Sequence, residues 1–330
     1  MRKRHMRALT VRALGLASAA LLLAACSSQG QPGGTPTEGE DGLTPVTVAE
    51  VQGLPAEYLT FGIAEGYFEE QGLDVEVRAG AGGAANMPQV VSGDAQFAGS
   101  NVVSVMLGVQ QGLDVTMVGP GTFGGDETGH GYQNVMVTDP QIQSMADLEG
   151  ATIAINTLQN IDEVLIRASL RENGVDDSTV ELVEMPFPDM EAALQGGQVD
   201  AVRIIEPFAT IAEEGGARFL DGGTTAAVQP SLQIGSYVTS GQFAEENPEA
   251  VEGFRAGLAA TAERVTEDPQ ALRDWLVENS DTPQAVVDAM VLPDYTDSVD
   301  VASLETLGDL MVEFGFAEEV PPVEDYVLQD

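Results

Sequence analysis

Tyr58 to Val77 reads YLTFGIAEGYFEEQGLDVEV. Tyr58, Phe61, Ala64 and Phe68 recur every three or four residues, the period of one helix face, and Pro55 suits a first helical turn. Gly72 is expected to end that helix, with a strand from Val75. The phrase Gln71-Gly72-Leu73-Asp74-Val75 returns at Gln111-Gly112-Leu113-Asp114-Val115, and Gly174 takes the same place in ENGVDD. A glycine just past a helix end enters the left-handed conformation without steric cost, so the three glycines mark helix-to-strand joints. Working outward, strands are expected at Val46–Val51, Ala95–Phe97, Val115–Val118, Asn134–Thr138, Ala151–Asn156, Val180–Glu184, Ala201–Ile205 and Gln233–Thr239. Helices are expected near Met87–Val91, Val102–Gln110, Ile161–Glu172 and Met190–Leu194, with a mostly helical tail from Pro248.

This alternation predicts an α/β fold of two lobes, each an open, mostly parallel sheet flanked by helices. The helical tail returns to the first lobe. The chain then crosses between lobes twice, at Asn134–Thr138 and Gly235–Thr239, which makes a hinge. The expected division is 45–136 plus 238–330 for lobe I and 137–237 for lobe II. A length of 330 residues fits two lobes.

Charge excludes several functions. Five of the 13 basic residues (Arg2, Lys3, Arg4, Arg7, Arg12) lie in the first 12 positions. The remaining eight, all arginine, face 53 acids, a net charge of −45. Such a body repels nucleic acid and anionic lipid. With no lysine after Lys3 there is no P-loop lysine and no Schiff base. A single cysteine forms no disulfide within one chain, and no cofactor or metal is expected.

The N-terminus reads as a processed segment. A basic start leads into the apolar run Ala13–Ala25, too short to span a bilayer but suited to a signal-peptide core. Leu23-Ala24-Ala25-Cys26 resembles the lipobox of bacterial lipoproteins, whose cleaved chain begins at a lipidated cysteine. Residues 1–25 are thus expected as signal peptide. Residues 26–44, rich in Gly, Pro, Thr and acid, are expected as a lipidated flexible tether. The expected product is exported and held at the outer face of the cytoplasmic membrane through Cys26 alone.

Candidate ligand groups sit where strands give way to helices. Gly80-Ala81-Gly82-Gly83-Ala84-Ala85 meets a loose dinucleotide pattern, but the acid required after the next strand is missing, for that region reads Phe97-Ala98-Gly99-Ser100-Asn101. What remains is a turn exposing backbone N–H groups at a helix N-terminus. Gly99-Ser100-Asn101 and Thr157-Leu158-Gln159-Asn160 are similar turns, and together they point to a cleft at the carboxyl ends of the strands. His130 reads as a solvated loop histidine or, with Asp126 and Glu127, as a calcium or zinc site. Arg203, in an apolar strand, either makes a lobe-internal salt bridge or offers the ligand a cation.

Several phrases in order resemble a known family. Ala64-Glu65-Gly66-Tyr67-Phe68 through Val77, Ser92-Gly93-Asp94-Ala95-Gln96-Phe97, Asp147-Leu148-Glu149-Gly150-Ala151-Thr152-Ile153-Ala154, and Gly197-Gln198-Val199-Asp200-Ala201 with Glu206-Pro207-Phe208 are similar to stretches of periplasmic binding proteins of the sulfonate/nitrate/taurine and thiamine-precursor family. The resemblance covers about Val46 to Val323. It implies a two-lobed type II periplasmic-binding-protein fold. It also implies a monomer that captures a small solute and hands it to an ABC permease with its ATPase, not an enzyme. A pyridoxal-phosphate-dependent synthase on the same fold is ruled out because the mature chain has no lysine. Sulfonate-type members often carry aromatic residues around the late strand, whereas Val202-Arg203-Ile204-Ile205-Glu206 has none.

The expected ligand residues are Gly53, Leu54, Pro55, Tyr58, Ala81, Gly82, Gly83, Ala84, Ala85, Ser100, Asn101, Thr157, Gln159, Asn160, Arg203 and Glu206. Tyr58 would stack on the solute and Glu206 would accept from an N–H. Because Asp162 and Glu163 already occupy the helix start after Asn160, a nitrogen-containing, pyrimidine-like solute is preferred to a simple anion. The alternatives are a sulfonate, taurine or nitrate ligand and, from another class, an exported acid- or metal-dependent hydrolase.

Overall fold

The computed structural model describes Gly39 and residues 42–80, 82–124, 131–221 and 228–329. Cys26, Ala81, Asp126, Glu127 and His130, the signal segment and most of the tether lie outside the described residues. In chain order, β1 (Thr44–Val51), α1 (Leu54–Ala64), β2 (Leu73–Gly80), α2 (Gly83–Ser92), β3 (Phe97–Asn101), α3 (Val102–Gln110) and β4 (Val115–Pro120) come first. Next are β5 (Gln133–Val137), β6 (Thr152–Ile155), α4 (Ile161–Glu172), β7 (Glu181–Glu184), α5 (Phe187–Gln195), β8 (Ala201–Ile205), α6 (Phe208–Glu214) and β9 (Arg218–Asp221). Last are β10 (Gly235–Ser240), α7 (Gly241–Glu246), α8 (Pro248–Glu267), α9 (Pro269–Asn279), α10 (Gln284–Ala289) and α11 (Val301–Glu313).

Two five-stranded sheets result, ordered β2-β1-β3-β10-β4 and β7-β6-β8-β5-β9. Each holds parallel pairs, β1 with β2 and β3, and β6 with β7 and β8. Each also holds one strand antiparallel to both neighbours, β10 in the first sheet and β5 in the second. Both sheets are therefore mixed. The odd strand in each is the one the chain enters after leaving the other sheet, and it runs back against the βαβ strands.

The crossings lie just before these strands. Phe123 bridges Gln233 in antiparallel fashion, and the Thr122 carbonyl accepts from the amides of Ile234 and Gly235, both at 2.9 Å. Gly121 and Gly235 face each other there, and a β-carbon on Gly121 would come within 2.8 Å of the Gly235 carbonyl carbon. The strands expected to cross, around Asn134–Thr138 and Gly235–Thr239, are inside the sheets, so the expected boundaries after 136 and 237 cut β5 and β10.

Two further expectations are corrected. Helix α1 stops at Ala64, not Gly72, because Gly66 turns left-handed (φ 86°). The chain then folds Phe68 against Phe254, over Gly257, where a β-carbon would lie 2.4 Å from the Phe68 ring. Strand β3 begins where the expected one ended, at Phe97. Its Gly99 admits the Glu50 carboxylate, and Asn86 donates to the Gly99 carbonyl at 3.0 Å. The C-terminal helices do more than return to the first lobe. Helix α8 packs on α1 and β4, whereas α10 touches α6 and α11 touches both α3 and α4.

Candidate functional site

The carboxyl ends of β1 and β3, the start of β10, the N-termini of α2, α3 and α4, and both crossings enclose a cavity of about 60 Å³ between the sheets. The first lobe contributes Glu50, Pro55, Tyr58, Gly83, Ser100, Asn101, Ser236, Tyr237 and, from the stretch before α11, Tyr295. The second contributes Gln133, Asn156, Asn160, Ile161, Asp162, Phe187 and Ile205, and Tyr132 closes it from the first crossing.

Local sequence explains these placements. Asn101 ends β3 with extended backbone and caps α3, its Oδ1 accepting from the Ser104 amide at 2.9 Å. The same oxygen accepts from the Ile161 amide of α4 at 3.3 Å, joining the lobes across the cavity. Asn160 caps α4 through the Glu163 amide, and its side-chain nitrogen donates to Asn156 and Thr157. Gly83 must be small, because a β-carbon would lie 2.6 Å from Ser100 Oγ.

Two carboxylates line the cavity. Glu50 is 3% exposed. Its Oε1 accepts from the Val51 amide at 2.7 Å, and Tyr237 also hydrogen-bonds the carboxyl. Burial outweighs both bonds and raises its pKa to about 7. Asp162, also buried, is raised by burial and opposed by Arg203, whose Nε donates to it at 2.7 Å. Arg203 also donates to Gln133. Among the described residues, the lining contains no Lys, Arg or His. The hydroxyls of two lining residues, Ser236 and Tyr295, are buried with no hydrogen-bond partner among the described residues. Among the described residues no group of three His, Cys, Asp or Glu could hold a metal ion.

Of the residues expected at the ligand, Pro55, Tyr58, Gly83, Ser100, Asn101 and Asn160 line the cavity. The others are elsewhere. Leu54 is core, and Gly53 (φ 103°) lies where a β-carbon would meet the Glu206 carbonyl and the Phe208 ring, each at 3.2 Å. Gly82 abuts Thr157, with a β-carbon there 2.9 Å from its methyl, so both belong to a lobe-to-lobe contact. Ala84 and Ala85 point outward to solvent, as does Gln159 (φ 52°). Arg203 stands behind Asp162 and makes the lobe-internal salt bridge. Glu206 faces away from the cavity: its carboxylate accepts from the Thr210 amide and hydroxyl, both at 3.0 Å, and the Val291 amide at 3.2 Å. Tyr58 stacks on Tyr295, with ring centroids 3.9 Å apart, and its hydroxyl donates to the Leu258 carbonyl.

Sequence reasoning missed Glu50, Tyr132, Asn156, Asp162, Ser236, Tyr237 and Tyr295 as lining residues. Glu50 was findable, as the one acid within the otherwise uncharged strand TPVTVAEV. Tyr295 carried no signal, since it comes from a stretch without regular structure far along the chain.

Residues 58–272 match the family model described as NMT1/THI5 like. The chain belongs to the NMT1/THI5-like family. Among relatives of this family member, the taurine-binding periplasmic protein of Escherichia coli (strain K12) is 27% identical over 193 residues, 57% of this chain and 56% of that protein. A putative aliphatic sulfonates-binding protein of the same organism is 32% identical over 117 residues, 35% of each. The match thus spans about half or less of these curated relatives. The alkanesulfonate-binding protein SsuA from Xanthomonas axonopodis pv. citri, bound to MOPS, has the same fold (TM-score 0.72, 17% identity, covering 87% of this chain and 98% of that one). So does the periplasmic nitrate-binding protein NrtA from Synechocystis PCC 6803 (TM-score 0.67, 15% identity, covering 86% of each). This NMT1/THI5-like protein therefore has the two-lobed periplasmic-binding-protein fold. No described helix is long and apolar enough to cross a membrane.

Proposed function

We propose that the chain is an exported, lipid-anchored solute-binding component of an ABC importer. It takes up a small organic solute in the interlobe cavity and delivers it to a permease and its ATPase. Family membership, the fold and the names of the relatives support the class of protein. For the ligand, the observation that carries the reading is the cavity's charge. Glu50 and Asp162 line it, no Lys, Arg or His lines it among the described residues, and Arg203 behind the wall is engaged by Asp162. A simple anion there would meet carboxylate without a facing cation, whereas a solute bearing N–H donors would meet an acceptor. This favours a compact nitrogen-containing solute, neutral or cationic.

A second reading has its own support. The N-termini of α2, α3 and α4 all reach the cavity, and helix starts favour negative charge. A zwitterion such as taurine would set its sulfonate at the helix starts and its ammonium toward Glu50.

The test is a thermal-shift series with taurine, ethanesulfonate, nitrate and 4-aminopyrimidine, repeated on Ser236→Leu, which puts bulk into the cavity. Ligand at a hundred times its dissociation constant adds about 2.7 kcal/mol. The reading predicts stabilisation by a nitrogen-bearing compound, lost in the variant, with the compound recovered unchanged. Stabilisation by nitrate alone, or consumption of the compound, contradicts it.

A further inference from the structure

Glu50 is held as a recognition group is held. The Val51 amide fixes one carboxylate oxygen at 2.7 Å, and Tyr237 bonds the carboxyl from β10. Beneath it, Gly99 supplies the space, since a β-carbon there would lie 1.9 Å from Oε1 and 2.2 Å from Oε2. The side chain is thus locked in place with its carboxylate at the cavity wall. The other wall carboxylate, Asp162, has Arg203 beside it, but among the described residues no cation pairs with Glu50. Among the described residues, the phenols of Tyr237, Tyr132 and Tyr295 feel the Glu50 charge and are kept protonated by burial, and Asp162 lines the same cavity. Of these, Tyr295 has a hydroxyl with no partner among the described residues, as does Ser236, which lines the same cavity.

A fixed carboxyl group that faces no cation, and two buried hydroxyls without a partner among the described residues, thus belong to the residues of one small cavity. Buried polar groups are normally satisfied, and among the described residues nothing completes these two hydroxyls, which leaves room for a solute to do so. We propose that Glu50 is the specificity-determining residue: it accepts a hydrogen bond from an ammonium, amidinium or ring-amine N–H of the solute, while Ser236 and Tyr295 bond the solute's remaining polar atoms. Tyr237 is a positioning residue that aims the carboxylate. The proposal rests on the reading that this cavity is the solute site.

The experiment is isothermal titration of the full chain with two matched pairs that differ only by an amine, taurine against ethanesulfonate and 4-aminopyrimidine against pyrimidine. Methylammonium, read by thermal shift against equal sodium chloride, probes the acceptor alone. The amine-bearing member of a pair is expected to bind about tenfold or more tightly than its partner, the scale of a charge-assisted hydrogen bond. Glu50→Gln keeps the shape, loses the charge and is expected to erase that preference. Tyr237→Phe is expected to weaken the amine-bearing probe several-fold and leave its partner unchanged, and it decides the matter if Glu50→Gln does not fold. Equal affinity within the pairs, a preference surviving in Glu50→Gln, or no response to any amine probe overturns the role of Glu50. Failure of the cavity reading looks different. Ethanesulfonate bound as tightly as taurine and lost in Ser236→Leu keeps the cavity and removes Glu50 as selector, whereas binding that survives Ser236→Leu removes the cavity itself.

Discussion

Replacing Glu50 by glutamine should change how the unliganded protein's stability depends on pH, and the structure sets the size of the change. Burial moves the Glu50 carboxyl from its ordinary 4.5 to about 7. Below 4.5 the group is protonated in folded and unfolded chains alike and favours neither. Between 4.5 and about 7 the unfolded chain ionises while the folded one holds its proton, so folding stability falls as pH rises through that window. At about 1.36 kcal/mol per pH unit the full loss is about 3 kcal/mol, a large part of a typical total of about 5–15 kcal/mol. Glutamine does not titrate. The Glu50→Gln variant should therefore gain about 3 kcal/mol on the natural chain between pH 4.5 and about pH 8. Glu57, raised by burial to about 7 as well, acts in both proteins and cancels in the comparison. Urea unfolding at both pH values and fixed ionic strength measures the difference. Parallel stability curves for the two proteins would refute the reasoning, because they would mean that Glu50 ionises at no cost where it sits.

Three other outcomes follow from single features. Gly99→Ala places a methyl carbon 1.9 Å from Glu50 Oε1, so it should cost about 1–3 kcal/mol in urea unfolding and weaken solute binding together with stability. Arg203→Met strands a buried Asp162 and should cost about 3–5 kcal/mol, most of it recovered in the double variant with Asp162→Asn; a cost near zero would show that the pair is not needed. The formal charge of −40 predicts a melting temperature that climbs from low to molar salt as self-repulsion is screened, and a flat melting curve would contradict it.

The fold was legible because its signals are local. Gly72, Gly112 and Gly174 each have positive φ (79°, 84° and 77°) at a helix-to-strand joint, as their place in the sequence requires. Helix α4 occupies the expected Ile161–Glu172, bounded by the Asn160 cap and an apolar face that needs no distant partner to be recognised. The cavity was harder to read, because its walls are set by contacts between residues far apart in sequence. Glu206 illustrates this. Its place at the end of β8 suggested a ligand group, yet Thr210 four residues on and Val291 on the returning tail occupy its oxygens. Alternation along β8 also could not reveal that Arg203 meets Asp162, because that partner comes from the first turn of α4. Strand β3 was misplaced for a related reason. Ala98, Gly99 and Ser100 carry little strand signal, and they are small because Asn86 and Glu50 pack over them.

The distribution of charge between the lobes bears on how a solute would drive closure. Asp162, Arg203 and Gln133 all belong to the second lobe and satisfy one another there, so that lobe presents a neutralised wall. Glu50 belongs to the first lobe, and its donors among the described residues are neutral, the Val51 amide and the Tyr237 hydroxyl. Closing the lobes over Glu50 without a solute removes water from a carboxyl that has no cation to face, which either forces its protonation or opposes closure. Contacts that favour closure include the Ile161 amide to Asn101 at 3.3 Å, the Leu54 amide to the Glu206 carbonyl at 3.4 Å, the Val291 amide to Glu206 at 3.2 Å, and Arg171 against Glu313 at 3.1 Å and over Phe314 at 4.3 Å. A solute whose N–H completes Glu50 only when both walls are in place binds the closed form better than the open one, and that difference is what shifts the equilibrium. If Glu50 selects the solute as proposed, the same carboxyl also holds the empty protein back from closing.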